Sequence, residues 1–122
     1  MENRQLVWVS SSQKDLEEFP DPVKETMLFA LDLAKVGGKH GKAKPFKGFS
    51  GSSVLEIVQR GKDSTFRTLY TIEFKEAVFV LHCFKKKSTA GIKTPKKEVD
   101  LIHNRYKQAV DLYKKLFKKG SK

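Results

Sequence analysis

The pattern of hydrophobic and polar positions changes period along the chain, and each change predicts a new element. The first apolar segment, Gln5–Val9, is short and rich in β-branched and aromatic residues, which is typical of a strand. Ser12 followed three residues later by Asp15 resembles a capping box and predicts a short helix through Phe19. The chain therefore begins with a strand and a short helix.

A second helix is predicted between two clear boundary signals. Asp21 is a favourable N-cap and Pro22 a favourable first helical residue, while Gly37 and Gly38 end the helix. Its apolar residues recur at helical spacing and share one face, which needs a sheet or a helix to cover it. These residues are Val23, Met27, Ala30, Leu31 and Ala34.

The middle of the chain predicts a loop followed by three antiparallel strands. Gly37–Ser53 is rich in Gly, Lys and Ser and has neither period, so we expect a loop. Val54–Arg60 and Thr65–Phe74 flank a turn over residues 61–64 and predict a hairpin. Ala77–Phe84 is apolar at nearly every position, which indicates a central strand that is covered on both faces.

The C-terminal third predicts one long amphipathic helix. A flexible linker, Ser88–Lys93, leads to Thr94 as cap and Pro95 as first helical residue. The apolar and aromatic residues of this helix recur every three or four positions: Val99, Ile102, Tyr106, Ala109, Val110, Tyr113, Leu116 and Phe117. The resulting order, β-α-α-β-β-β-α, groups elements by type and predicts an α+β fold with a small, antiparallel-rich sheet of four strands. We expect one domain over residues 1–122, with 118–122 as a frayed basic tail.

The positive charge lies almost wholly in the C-terminal part of the chain. The net charge is +11, from 25 Lys+Arg and 14 Asp+Glu, and residues 85–122 contribute +10 of it. Such asymmetry favours encounter with a polyanion, with an affinity that falls steeply as salt rises. For the last dozen residues, the alternative to a polyanion-binding surface is a basic face that only contacts solvent. That alternative is weaker for the triplet Lys85–Lys87, which lies at the end of a strand.

Several classes of function are disfavoured by the sequence. A single cysteine, Cys83, excludes an internal disulfide and, within its apolar run, predicts a small core residue in a cytoplasmic protein. His82 and Cys83 are adjacent in a strand and point to opposite faces, so we predict no metal site and no cofactor. No phosphate-binding loop, nucleophile elbow or long apolar segment for a membrane is found.

The remaining candidates for chemistry are residue types that handle phosphate. They lie on the predicted hairpin and after the central strand: Arg60, Arg67, Tyr70, His82, Lys85, Lys86 and Lys87. RNA is cut without a metal if one group takes the 2′-hydroxyl proton, cations stabilise the phosphorane and an acid protonates the leaving oxygen. For any one residue alone, a structural role is the favoured reading, and Arg67 and Tyr70 should face opposite sides of a regular strand.

The loop before the hairpin is basic and contains aromatic residues. Lys44 and Lys47 alternate there with Phe46 and Phe49, a composition that suits single-stranded nucleic acid. Two phenylalanines in a loop more often anchor it to the core, and we favour that interpretation. Both alternatives remain open from the sequence.

A set of short segments, taken in order, resembles the phage-derived RelE/HigB-like toxins of the RelE/ParE superfamily. The segments are Lys44-Pro45, Glu56, Arg60-Gly61-Lys62-Asp63, Phe66-Arg67, Tyr70, Val80-Leu81-His82, Phe84-Lys85-Lys86-Lys87, Lys93-Thr94-Pro95, Glu98 and Arg105. The resemblance covers roughly residues 5–110 and implies a compact antiparallel sheet with helices. It also implies the toxin of a type II toxin-antitoxin pair, an endoribonuclease that cleaves mRNA on the ribosome and is inhibited by an antitoxin with a helix-turn-helix domain.

Carried over by position, the resemblance assigns roles to individual residues. Arg67 would stabilise the transition state, Lys85–Lys87 would position the phosphate, and Tyr70 or His82 would transfer protons. The residues expected to hold RNA are Lys44, Lys47, Arg60, Lys62, Lys93, Lys96 and Lys97. The chain departs from its relatives at Val58, where many carry an arginine. The alternative from another class is a non-enzymatic superfamily member that binds gyrase or RNA.

Overall fold

The computed structural model describes residues 3–51, 53–87 and 94–117. Five strands and three helices follow one another in the order β1 (Gln5–Trp8), α1 (Ser12–Glu17), α2 (Asp21–Lys35), β2 (Ala43–Pro45), β3 (Val54–Arg60), β4 (Ser64–Thr71), β5 (Ala77–Lys87) and α3 (Lys96–Phe117). The predicted linker Ser88–Lys93, including Lys93, and the tail 118–122 lie outside the described residues. The α+β class predicted from the element order is confirmed.

The sheet has five strands, so the prediction of four is wrong. Its order is β1-β5-β4-β3-β2, with β1 parallel to β5 and every other neighbouring pair antiparallel. The missed strand, Ala43–Pro45, lies inside the predicted loop and pairs with Leu55–Ile57. Three residues are too few to show a period of two, so only pairing with β3 defines β2 as a strand.

Helices cover both faces of the sheet. α1 and α2 pack on one face, where the predicted apolar stripe of α2 is buried against β3 and β5. α3 packs on the other face through Ile102 and Ala109, with Phe79 and Leu81 of β5 beneath them. The central strand β5 is therefore buried on both sides, as its continuous apolar run predicts.

Most helix and strand boundaries agree with the sequence pattern to within a few residues, and two differ, at the start of α2 and at the end of β4. The first residue of α2 is Asp21, and Pro20 occupies the N-cap without a side-chain cap. β4 ends at Thr71 because Ile72 turns to bond the Ser53 carbonyl. Gly37 ends α2 as predicted, in a left-handed conformation with φ of +87°.

The lysine triplet lies within β5 and does not follow it. The strand continues through Lys87 because Ser64, Thr65 and Phe66 of β4 pair with the three lysines. The prediction that the strand stops at Phe84 is therefore wrong. The sequence pattern reflects hydrophobicity, which falls sharply at Lys85. The pairing of the three lysines with β4 depends on the hairpin register, which that pattern does not show.

Candidate active site

A β-bulge decides which side chains meet on the face covered by α3. Leu69 of β4 pairs with His82, whereas the next residue, Tyr70, pairs with Val80, so Leu81 is an extra residue in β5. Leu81 and His82 both turn toward α3, and alternation then places Lys86 on that face as well. Without the bulge, His82 would face α2 with Val78 and Val80.

A buried ion pair lies at the centre of this face. Nη1 of Arg67 on β4 donates to Oε2 of Glu56 on β3 at 2.6 Å. The two side chains are only 9% and 8% exposed. Because a buried charge is costly to desolvate unless it is paired, Glu56 keeps the Arg67 guanidinium in one place and orientation.

Further cations surround the ion pair on the same face of the sheet. Lys44 of β2 is paired with Glu56 in the register, and Lys86 of β5 is paired with Thr65, two residues before Arg67. Arg60 also pairs with Thr65, from the β3 side. Lys44 and Arg60 are exposed and Lys86 is half-buried, so positive charge is presented to solvent around a fixed arginine. We call Lys44, Glu56, Arg60, Arg67 and Lys86 the basic cluster.

A second polar group borders the basic cluster. Nε2 of His82 lies 2.7 Å from Oε1 of Glu98 on the first turn of α3. Arg105, about two turns further along α3, donates through Nη1 to His82 Nδ1 at 3.2 Å. The ring of Phe84 stacks on the imidazole at a centroid distance of 4.9 Å, and Phe84 is the cross-strand partner of Arg67. Phe84 thus connects the His82 group to the basic cluster.

Three of the residues predicted for catalysis lie away from the basic cluster. Tyr70 is completely buried on the α2 face, and its hydroxyl has no hydrogen-bond partner among the described residues. Burial raises the pKa of Tyr70 to about 12. Lys85 and Lys87 alternate with Lys86 and therefore point to the α2 side. The structure brings together Arg67, His82 and Lys86, and it separates them from Tyr70, Lys85 and Lys87.

The predicted RNA-binding residues fall around the same face. Lys62 lies exposed in the β3–β4 turn, and Lys96 and Lys97 are exposed in the first turn of α3. Lys47 is exposed in the loop after β2. That loop is anchored, as we favoured, by a buried Phe46 and by Phe49, whose ring stacks on His103 at 4.7 Å. Its aromatic rings are therefore occupied by protein contacts.

Sequence reasoning assigned no role to Glu56, Glu98 or Arg105. A signal for the last two exists, because both occupy the stripe of α3 that carries Ile102 and Ala109, where a charged residue requires a buried partner. The partner itself, His82, is set by the bulge. Among the described residues, no three His, Cys, Asp or Glu side chains form a possible metal site, and no described helix is long and apolar enough to cross a membrane.

One solved structure shares this fold, and a second is more distantly similar. The structure of a double mutant of the Escherichia coli toxin RelE in the free state has a TM-score of 0.52 and 19% identity, over 73% of this chain and 87% of that chain. The toxin-antitoxin complex RelBE2 of Mycobacterium tuberculosis has a TM-score of 0.45 and 16% identity, over 70% of this chain and 94% of that chain. No curated protein matches the sequence.

The five-stranded sheet between α1–α2 and α3 is therefore a RelE-like toxin fold. A family profile described as "Phage derived protein Gp49-like (DUF891)" matches residues 14–107. The match spans most of the chain, which therefore belongs to the Gp49-like phage-derived family. The resemblance seen in the sequence is confirmed.

Proposed function

We propose that this protein is the toxin of a type II toxin-antitoxin pair and that it cleaves mRNA on the ribosome without a metal ion. The observation that carries the proposal is the basic cluster, in which a buried carboxylate fixes Arg67 while Lys44, Arg60 and Lys86 lie around it. A fixed guanidinium with further cations around it suits a group that gains negative charge during the reaction.

The proposed reaction is transfer of the phosphodiester to the neighbouring 2′ oxygen. The 2′ oxygen attacks phosphorus, and its proton passes to a carboxylate on this face of the sheet. The P–O5′ bond breaks, and the Lys86 ammonium protonates the leaving 5′ oxygen. The products are a 2′,3′-cyclic phosphate and a 5′-hydroxyl. Arg67 stabilises the charge on the pentacoordinate phosphorus, and Arg60 and Lys44 hold the neighbouring phosphates.

The residues that bind RNA extend beyond the basic cluster. Further contacts to phosphate come from Lys62 at the hairpin turn, Lys47 in the loop after β2, and Lys96 and Lys97 in the first turn of α3. Such contacts carry no sequence preference and make affinity strongly dependent on salt. Tyr70, Lys85 and Lys87 have no place in this proposal, because their side chains belong to the opposite face.

The partners follow from membership of a toxin family. We propose a cognate antitoxin with a helix-turn-helix domain, encoded beside this chain, and a cytoplasmic location where translating ribosomes are present. The prediction about the neighbouring gene is tested by reading the adjacent open reading frame and by copurifying its product with this protein.

The catalytic proposal is tested by mapping mRNA 5′ ends after adding the purified protein to translating ribosomes. We expect cuts with the wild type and about 100-fold fewer with Lys86→Ala or Arg67→Lys. Arg67→Lys keeps a positive charge beside Glu56 but loses the planar donor pair, which separates chemistry from folding. Lys75→Ala is the matched control, because Lys75 is exposed in the turn at the opposite end of the β4–β5 hairpin.

Two results would contradict the proposal. One is intact mRNA with the wild-type protein on translating ribosomes and on free RNA. The other is equal loss of cleavage in Lys75→Ala and Lys86→Ala, which would indicate a general charge effect and no specific site. Intact mRNA combined with arrested supercoiling by gyrase would support the non-enzymatic alternative.

A further inference from the structure

Arg105 is a buried arginine that donates hydrogen bonds to a backbone carbonyl, an imidazole nitrogen and a hydroxyl. It is 8% exposed and donates to the Leu81 carbonyl at 3.1 Å, to His82 Nδ1 at 3.2 Å and to Ser11 Oγ at 3.2 Å. Leu81 is the extra residue of the bulge, which a regular ladder leaves without a partner. Arg105 therefore holds α1, the bulge and α3 together at one point.

The hydrogen bond from Arg105 restricts which nitrogen of His82 can carry a proton. A guanidinium has donors and no acceptor, so the Nδ1 atom that faces Arg105 must carry a lone pair. The single proton of the neutral ring is then on Nε2, which donates to Glu98 Oε1 at 2.7 Å. The Glu98 carboxylate, which has acceptor oxygens only, suits this donor.

The charges around His82 favour the neutral ring. Burial lowers the pKa of His82, and the Arg105 charge lowers it further, while Glu98 on α3 and Asp15 on α1 act in the opposite direction. Asp15 is connected through Ser11, whose hydroxyl donates to it at 2.9 Å. From the sheet, the ring contacts the uncharged Phe84, and the thiol of Cys83 lies on the other face. A second proton, on Nδ1, would place an N–H group and the positive charge of the ring against the Arg105 guanidinium.

We propose that Arg105 is a positioning residue that locks His82 as the neutral Nε2–H tautomer, and that Glu98, held by that proton, is the carboxylate that accepts the 2′-hydroxyl proton. The Glu98 half of this inference rests on the proposed function. His82 is then an anchor for Glu98 and transfers no proton itself. The proton that Glu98 receives returns to solvent after the P–O5′ bond has broken.

Exposure distinguishes Glu98 from the carboxylate of the basic cluster, Glu56. The side chain of Glu98 is 19% exposed, against 8% for Glu56, whose carboxylate is already bound to Arg67 at 2.6 Å. Glu98 is thus the carboxylate with access to an incoming hydroxyl, and its hydrogen bond to His82 fixes its direction. A base must lie within hydrogen-bond reach of the proton it takes, and the partly exposed Glu98 is connected to Arg67 of the basic cluster through His82 and Phe84.

The tautomer is measured directly by nitrogen-15 NMR of the three histidines in the wild-type protein, with His82→Gln to assign the signal. We expect His82 to show a protonated Nε2 and a bare Nδ1 at pH 7.5 and to remain neutral at pH 5.5, where an ordinary histidine is about nine-tenths charged. A proton on Nδ1 at pH 7.5, or a charged ring at pH 5.5, would overturn the inference.

The role of Arg105 itself is tested by two substitutions in the same measurement. Arg105→Met removes the cation at similar length, and we expect His82 to take up a proton on Nδ1 at pH 5.5. Arg105→Lys keeps a cation and a donor, and we expect it to preserve the neutral ring. A neutral His82 in a folded Arg105→Met protein would show that burial alone is sufficient and would refute the lock. The wild-type measurement stands whether or not Arg105→Met folds.

The role of Glu98 is tested by single-turnover RNA cleavage. We expect Glu98→Gln to lower the rate by about 10²- to 10⁴-fold with unchanged RNA binding. Asp111→Asn is the matched control, because it removes the same charge from an exposed position further along α3 that contacts none of the described residues proposed to bind RNA. Full activity of Glu98→Gln beside an active wild type would refute the role of Glu98 alone. An inactive wild type would refute the proposed function and this role with it, while NMR decides the tautomer independently.

Discussion

The Glu56–Arg67 ion pair predicts a large and specific loss of stability when either partner is neutralised alone. Glu56→Gln leaves a guanidinium that is 9% exposed without its carboxylate at 2.6 Å. Removal of one partner from a buried pair costs about 3–5 kcal/mol in free energy of unfolding. Coulomb attraction at 4 Å with an effective dielectric constant near 20 is about 4 kcal/mol, which agrees.

The expected loss in free energy of unfolding corresponds to a decrease in Tm that depends on the size of the protein. An unfolding entropy of about 2.1 cal/mol/K per residue means that each kcal/mol lowers the Tm of a 122-residue chain by about 4 °C. We therefore expect Glu56→Gln to melt about 12–20 °C below the wild type. Calorimetry at pH 7 measures the shift, and urea unfolding measures the free energy.

A double-mutant cycle separates the pair from its surroundings. Arg67→Met leaves a buried carboxylate and should be as destabilising as Glu56→Gln, whereas the double variant removes both charges and should be more stable than the sum of the singles predicts. We expect a coupling energy of about 2–3 kcal/mol. Single variants within about 1 kcal/mol of the wild type, or strictly additive effects, would refute the reasoning, because such values belong to exposed ion pairs.

Two further predictions concern buried groups on the α2 face. Tyr70→Phe removes a hydroxyl that has no partner among the described residues. We therefore expect unchanged RNA cleavage and, in urea unfolding, a free energy of unfolding equal to or up to about 2 kcal/mol above that of the wild type. Loss of cleavage in this variant would show that the Tyr70 hydroxyl takes part in the reaction. Burial raises the pKa of the Cys83 thiol from 9.0 to about 12, so the folded state disfavours the thiolate. The stability conferred by the protonated thiol is complete below pH 9 and is lost as pH rises toward 12. We expect Cys83→Ala to lose less stability over this pH range than the wild type. Rapid alkylation of Cys83 by iodoacetamide at pH 8 in the folded protein would contradict the raised pKa.

Local patterns determined most of the elements of this protein. The stripe from Val23 to Ala34 and the spacing from Val99 to Phe117 are signals of period near 3.6 that stay within one segment, so the sequence is sufficient to predict α2 and α3. The apolar run Ala77–Phe84 likewise predicted a central strand. Ala43–Pro45 became a strand only through its pairing with β3, an interaction between segments that no local pattern records.

The candidate site depended on the tertiary structure in a more specific way. The sequence showed that arginines, lysines and a histidine gather near the hairpin, and regular alternation also predicted correctly that Arg67 and Tyr70 face opposite sides. Alternation fails at Leu81, because one extra residue in β5 reverses the face of every side chain after it. That reversal places His82 and Lys86 beside Arg67 and sends Lys85 and Lys87 away. A bulge arises from the register between two strands and from the Arg105 side chain that binds its free carbonyl, so it has no signature in the sequence of β5 alone.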